Sequence, residues 1–331
     1  MSGIIISGLS HSYPGGTVEI ENLELYEGER LVLYGPNGSG KTTTLRLLAG
    51  TLAGGPSIDT AYLPQRPIAF RGSAGWNLTL GLDQSAHPTA QRLAQEMGVS
   101  QLLDRPARRL SGGERQRLAL ARVLARPEPI VLLDEPLAAL DVSDRASVAA
   151  LVNKALGGRS AIVVTHDREI AAALGDRIAV MIDGRIRQVG TPQEVFTQPA
   201  DEMVADALGI GNVLGGEVME IDGPLIGLKV GPVVVWGLGE GAEGSSARAI
   251  FGAEAVTVYA GTSPNAGSAR NTWEGTVEEV RPAGRLMEVL IDCGPRVAAL
   301  VTPGSMEALG LAAGSKATVA VKATAVRVLS A

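Results

Sequence analysis

The stretch LYGPNGSGKTTTLRLL, Leu33 to Leu48, sets an apolar run against a helix-like one and fills the space between them with three glycines, a proline, a serine and a lysine. Glycine has no Cβ, so Gly35, Gly38 and Gly40 leave bare backbone for something to approach closely. Gly35 to Thr42 fits G-x-x-x-x-G-K-[ST], with a strand expected before it and a helix after it. In that setting consecutive N–H groups of Asn37, Gly38, Ser39 and Gly40 turn inward as an anion nest, backed by the partial positive charge of the helix N-terminus. Lys41 then brings a full charge to the outer phosphates of a nucleotide, Thr42 a hydroxyl for Mg²⁺, and Thr43 follows in the helix start. On this reading the backbone is bare because a phosphate chain lies against it.

A second signal stands further along. PIVLLDEP (129 to 136) reads as a buried strand whose apolar run ends in two carboxylates. Asp134 is placed to hold Mg²⁺ or its water, and Glu135 to polarise an attacking water.

Composition narrows the rest. With 331 residues and 45% hydrophobic content, the chain can bury the cores of two domains. A formal charge of −6 with no Lys/Arg-rich block argues against a general nucleic-acid binder and against a polybasic membrane patch. No apolar run approaches the roughly 18 to 20 residues that cross a bilayer. MSGIIISGL lacks the charged start and length of a signal peptide, so the expectation is a protein that stays in the cytoplasm. The single cysteine, Cys293, fits a reducing compartment and reads as a small buried hydrophobe.

From Gly3 to Val189 the β-branched runs GIIIS, RLVLYG, PIVLLDEP, SAIVVTHD and RIAVMIDGRI alternate with helical stretches such as QRLALARVLA and DVSDRASVAALVNKAL. Such alternation predicts a mostly parallel sheet with helices packed on it. GTPQEVFTQP opens a last helix, with Thr191 as N-cap and Pro192 behind it, and LGIGNVLGG (208 to 216) reads as a boundary. The expected domains are therefore 1–210 and 211–331. Residues 212–331 are Gly-rich and short-stranded, which predicts a small all-β barrel-like domain whose one helical hint is SMEALGL.

LSGGERQRLALARVLARP (110 to 127), just upstream of IVLLDEP, resembles the signature motif of ATP-binding-cassette (ABC) ATPases. The resemblance implies a P-loop α/β fold with a helical subdomain at about 66–125, ATP and Mg²⁺ as cofactors, and a head-to-tail homodimer enclosing two ATPs. It also implies roles residue by residue. Ser111, Gly112 and Gly113 would act on the nucleotide held by the partner subunit, and Asp141 in LAALD would cross the dimer interface. Tyr13 in SHSYPGG would stack on adenine, and His166 in IVVTHD would touch the γ-phosphate. Gln65 in AYLPQRP would contact Mg²⁺ or water and link the site to a membrane partner. Without the family, Tyr13 and His166 read as ordinary surface or core positions, and GGERQR as a charged helix start. One departure stands out: Gln65 follows Lys41 by only 24 positions, short for the antiparallel arm that usually lies there.

A chain of this family without membrane spans implies permease subunits and an extracytoplasmic solute-binding protein as partners, and a place at the cytoplasmic face of the membrane. RPIAFRGSAGWNLTLGL (66 to 82) resembles the start of the membrane-facing helical subdomain. The end of the ATPase region resembles importers that carry a C-terminal TOBE-type β-domain. Within that domain SARNTWEGTV (268 to 277), VTPGSMEALGLAAGS (301 to 315) and VKATAVRVL (321 to 329) resemble the molybdate-binding Mop module. That likeness implies an oxyanion site made by Ser268, Arg270 and Lys322, chemically a neutral donor, a planar donor fork and a point charge. From Gly261 to Ala331 seven basic residues face six acidic ones, which permits anion binding and demands nothing. The expectation is an ATPase energising molybdate or tungstate import, with anion sensing by the C-terminal domain. The alternative is an importer of sulfate, iron, polyamine or sugar whose TOBE domain is structural. A non-transport ABC protein acting on DNA or ribosomes fits less well, since the chain has one cassette and no sustained heptads.

Overall fold

Two runs, IVLLD and SAIVV, are buried at every position, the pattern of central strands in a parallel sheet covered by helices on both faces. The computed structural model describes residues 3–13, 16–56, 58–261 and 268–330, and the chain divides into two units, 1–200 and 201–331.

In the first unit β1 (Gly3–Tyr13) and β2 (Gly16–Tyr26) pair antiparallel, with Leu9 opposite Ile20. The main sheet holds β3 (Arg30–Tyr34), β4 (Thr60–Leu63), β5 (Ile130–Asp134), β6 (Ser160–Val164), β7 (Arg177–Ile182) and β8 (Arg185–Gly190). Its order is β4-β5-β6-β3-β7-β8, parallel except for β8, which pairs antiparallel with β7. The helices are α1 (Lys41–Leu48), α2 (Ala74–Thr79), α3 (His87–Glu96), α4 (Gly112–Leu124), α5 (Val142–Leu156), α6 (Arg168–Leu174) and α7 (Pro192–Thr197). Leu31, Leu33, Leu45, Leu48, Leu132 and Ile162 form one core with Leu9, Val18 and Ile20 of the hairpin. Each such side chain contributes about 1.5–3 kcal/mol by leaving water, so the hairpin is anchored by its apolar face.

Capping sets the helix starts. The Ser111 hydroxyl accepts from Glu114 N while the Glu114 carboxylate accepts from Ser111 N, and the same reciprocal box joins Thr191 and Glu194. The short segment after α1 runs through turns to β4, and the antiparallel strand pairs of this unit among the described residues are β1 with β2 and β7 with β8. The sheet delivers function at one edge. β3, β4, β5 and β6 all run the same way, so the loop from Gly35, Gln65, the Asp134–Glu135 pair and the Thr165–His166 pair leave their carboxyl ends together. Clefts at the carboxyl ends of parallel strands are where open α/β sheets bind ligands.

The second unit begins with a short helix, Glu202–Ala207, and is otherwise nearly all strand. Asn212–Asp222, Leu225–Val230, Val233–Gly239, Ser246–Phe251 and the chain-terminal Arg327–Ser330 close into a five-stranded barrel. Arg327–Ser330 closes it by lying parallel to Val233–Gly239 and antiparallel to Ser246–Phe251. A second five-stranded sheet is built from Thr257–Ala260, Asn271–Ala283, Leu286–Asp292, Arg296–Val301 and Lys316–Val321. The two share a core that includes Val218, Leu228, Val235, Val289, Ile291 and Val319. Two buried asparagines stitch them: Asn271 exchanges hydrogen bonds with Trp236 N and O (2.6 and 2.8 Å), and Asn212 with Ala298 N and O (2.7 and 3.0 Å). SMEALGL forms the helix Pro303–Leu309, capped by Thr302.

Candidate nucleotide-binding site

The loop after β3 owes its shape to glycine. Gly40 caps α1 at φ 98°, and a Cβ there would lie 2.6 Å from Val18 Cγ2. Gly35, at φ 152°, passes so close to β7 that a Cβ would meet Met181 O at 2.1 Å. An L side chain at either position would push the loop off the strand ends. The cleft it borders, about 300 Å³, is lined by Asn37, Gly38, Gly40, Lys41, Thr42, Thr43, Gln65, Glu135 and Val164. The structure thus gathers residues from the first loop, the Gln65 turn and the end of β5 around one cavity.

Lys41 is 7% exposed, and its ammonium donates to Gly35 O (2.8 Å), Pro36 O (2.7 Å) and Ser39 Oγ (3.3 Å). Burial pulls its pKa below the usual lysine value, while Glu135 and Asp134 pull it back up. A cation held this way, desolvated and next to a backbone nest, is prepared for an anion. Across the cleft Asp134 is fully buried; Thr42 Oγ1 donates to its Oδ1 at 3.0 Å, and the Tyr62 hydroxyl lies 3.5 Å from Oδ2. Burial raises its pKa, with the Glu135 charge adding to the rise and the Thr42 and Tyr62 bonds opposing it.

Glu135 sits at φ 48°, a left-handed conformation that a non-glycine residue adopts only where its surroundings impose it. Its N–H donates to Val164 O at 2.9 Å, which ties the turn to β6. Both carboxylate oxygens are engaged: Oε1 lies 2.6 Å from His166 Nδ1, and Oε2 accepts from Thr165 Oγ1 at 3.4 Å. The His166 side chain stays 63% exposed on its other face.

Ser111 and Gly112 are exposed at the N-terminus of α4, and Gln65 and Asp141 are exposed as well. None of Ser111, Gly112, Gly113 or Asp141 lines the cleft of its own chain. The Tyr13 side chain lies outside the described residues. The sequence reading passed over Thr165, Tyr62, Gln116 and Arg145. Thr165 was findable, since it adjoins His166; the others act over longer separations. Arg145 bonds Asp167 Oδ2 (2.9 Å) and Leu140 O (3.3 Å), joining the segment before Asp141 to the turn after His166.

In the second unit the three expected oxyanion residues are not equivalent. Ser268 and Lys322 are exposed. Arg270 is committed: its Nη1 bonds Asp222 Oδ2 at 2.7 Å, and its guanidinium stacks 3.5 Å from the Trp236 ring centroid. Cys293 is buried, and burial pushes its thiol up to about 11.

Comparison with known proteins bears on both units. Residues 18–138 match the family described as ABC transporter, and residues 267–328 match the TOBE domain. Over 98% of its length the chain is 30% identical to the molybdate/tungstate import ATP-binding protein WtpC of Pyrococcus horikoshii, 99% of which is covered. The chain belongs to the ABC transporter family. As an ABC ATPase it is also 36% identical to the spermidine/putrescine import ATP-binding protein PotA of Ruegeria pomeroyi, over 66% of this chain and 68% of that one. Its fold resembles that of a bacterial Atm1-family ABC exporter with ATP bound, at a TM-score of 0.55 and 23% identity, covering 62% of this chain and 41% of the exporter. The first unit is therefore the ABC ATPase and the second carries the TOBE domain. Among the described residues no helix is long and apolar enough to cross a membrane.

Proposed function

We propose that this chain is the ATP-hydrolysing subunit of an importer for molybdate or tungstate. The observation that carries the solute is the reach of the likeness: the similarity to the molybdate/tungstate protein covers 98% of the chain, whereas that to polyamine proteins covers 66% for the Ruegeria protein and 88% for the one from Spiroplasma citri. Import of another solute, polyamine or iron among them, is the second reading, favoured by the higher identity of shorter matches: 36% to the Ruegeria polyamine protein, and 39% over 60% of the chain to the Fe(3+) ions import ATP-binding protein FbpC of Streptomyces avermitilis.

The division of labour follows from the cleft. The nest from Asn37 to Gly40 and the Lys41 ammonium hold the phosphates, and Thr43 extends the nest into α1. The residues present suit Mg²⁺: Thr42 Oγ1 and the Asp134 carboxylate are hard oxygen donors already 3.0 Å apart, and Gln65 lines the same cleft as Thr42. When bound, the ion neutralises charge on the phosphates. Glu135 orients and deprotonates the attacking water, steadied by Thr165, and His166 presents its exposed face to the γ-phosphate. Ser111, Gly112 and Asp141 are exposed groups offered to a second copy, with the half-buried Gly113 beside them, so each site is completed on dimer closure. Tyr13 is assigned to the adenine.

Permease subunits are the partners proposed for the helical region. Ile68 (65%), Phe70 (43%) and Trp76 (48%) are exposed large apolar side chains beside a groove edged by Arg115 and Arg122. The whole would sit at the cytoplasmic face of the membrane, fed by an extracytoplasmic solute-binding protein. Anion sensing by the second unit is left out of the reading, because an oxyanion would have to displace Asp222 from Arg270. The test is ATP-driven uptake by vesicles holding the reconstituted importer. Uptake of molybdate or tungstate, with spermidine ignored, is expected; the reverse selectivity would establish the second reading.

A further inference from the structure

Gln116 is a polar side chain 1% exposed in the middle of α4, a place where an apolar residue would fill the core at no cost in hydrogen bonding. Its amide has one direction to go. Nε2 donates to Pro136 O at 3.0 Å and lies 3.5 Å from Glu135 O, so the side chain holds the two peptide carbonyls that follow the β5 strand. These belong to the turn in which Glu135 is kept at φ 48°, a conformation that costs about 1–3 kcal/mol and persists only when its surroundings over-determine it. One turn earlier on the same helix, Gly113 packs against the next part of that segment: a Cβ there would lie 3.2 Å from Ala139 O and 3.4 Å from Leu140 Cδ2. The start of α4 is thus the template on which Glu135–Leu140 is moulded. The Glu135 carboxylate is fixed by Thr165 and His166, its backbone N–H by Val164 O, and the carbonyls of Glu135 and Pro136 by Gln116.

We infer that Gln116 is a positioning residue for the hydrolytic step, holding Glu135 in its left-handed turn from behind. The inference rests on the assignment of Glu135 as the group that activates water. It has a second consequence. The helix that offers Ser111 and Gly112 to a partner's nucleotide also grips the turn that carries Glu135 in its own chain's site, so a displacement of α4 on nucleotide contact reaches Glu135 through the Gln116 amide.

The test is steady-state ATP hydrolysis by the intact chain carrying Gln116→Met, which keeps the volume and removes the donor. Turnover is expected to fall by on the order of tenfold to a hundredfold, with the KM for ATP and nucleotide affinity unchanged. In a Glu135→Gln background the same substitution is expected to add nothing, because it acts through Glu135. A loss of equal factor in both backgrounds, or a rise in KM with turnover intact, would mean a merely structural role and overturn the inference. Should Gln116→Met fail to fold, Gln116→Asn decides, since its amide is one methylene too short for Pro136 O and must show the same turnover loss without a KM change. Full activity in Glu135→Gln itself would instead overturn the assignment of Glu135, an outcome distinct from wild-type turnover in Gln116→Met.

Discussion

The cleft of the first unit and the SARN segment of the second both bring cations and hydroxyls to a place where an anion is expected, yet they treat the cation differently. Lys41 is bonded only to neutral oxygens, two carbonyls and a hydroxyl, so its charge is left for a ligand. Arg270 is neutralised by Asp222 and covered on one face by Trp236. A motif is a binding site where the fold satisfies its geometry without cancelling its charge. In the second unit the Arg270 charge is spent within the chain on Asp222.

The contrast breaks first at Lys41. Lys41→Ala is expected to lower ATP turnover by on the order of a hundredfold to a thousandfold, since a preorganised cation facing developing charge is removed. A phosphate-release assay that finds less than a tenfold loss would show that the nest holds the phosphates unaided. At the other pole, Asp222→Asn frees the Arg270 guanidinium. Calorimetric titration with molybdate or tungstate is expected to give binding about tenfold or more tighter than wild type, following the loss of a competing carboxylate. Tight binding by the wild-type chain that vanishes in Arg270→Ala would place the second unit with the first and restore its role as a sensor. Because the pair is part-exposed, Asp222→Asn should change stability by less than about 1 kcal/mol, read from a denaturant midpoint. The smallest effect concerns Cys293. With its thiol raised to about 11 and its side chain buried, labelling by iodoacetamide at neutral pH is expected only as fast as the second unit opens. Rapid stoichiometric labelling of the native chain would contradict the packing described for that core.

Most of the first unit was legible in sequence because its signals are local. GPNGSGKT carries its own strand, loop and helix start, and IVLLDEP and IVVTHD each place a side chain one or two residues past a strand end. Thr191 and Pro192 announced the start of the last helix of the first unit, and SMEALGL its short helix. What escaped lies in contacts of long separation. Gln116 reaches a carbonyl 20 positions away, and Arg270 finds Asp222 at a separation of 48. Neither partner is marked by spacing or periodicity. The strained φ of Glu135 was equally invisible, since nothing in DEP requires a left-handed turn; the surrounding strands and α4 impose it. Closure of the barrel by Arg327–Ser330 was hidden for the same reason, because the strands it joins are far upstream.

The most direct test of the account is phosphate release by the intact chain with Glu135→Gln beside the wild type. Loss of a positioned general base predicts that turnover falls by about a hundredfold to ten-thousandfold while ATP remains bound. Turnover within a few-fold of wild type would contradict the account, and the group that activates water would have to be sought among the other residues of the cleft.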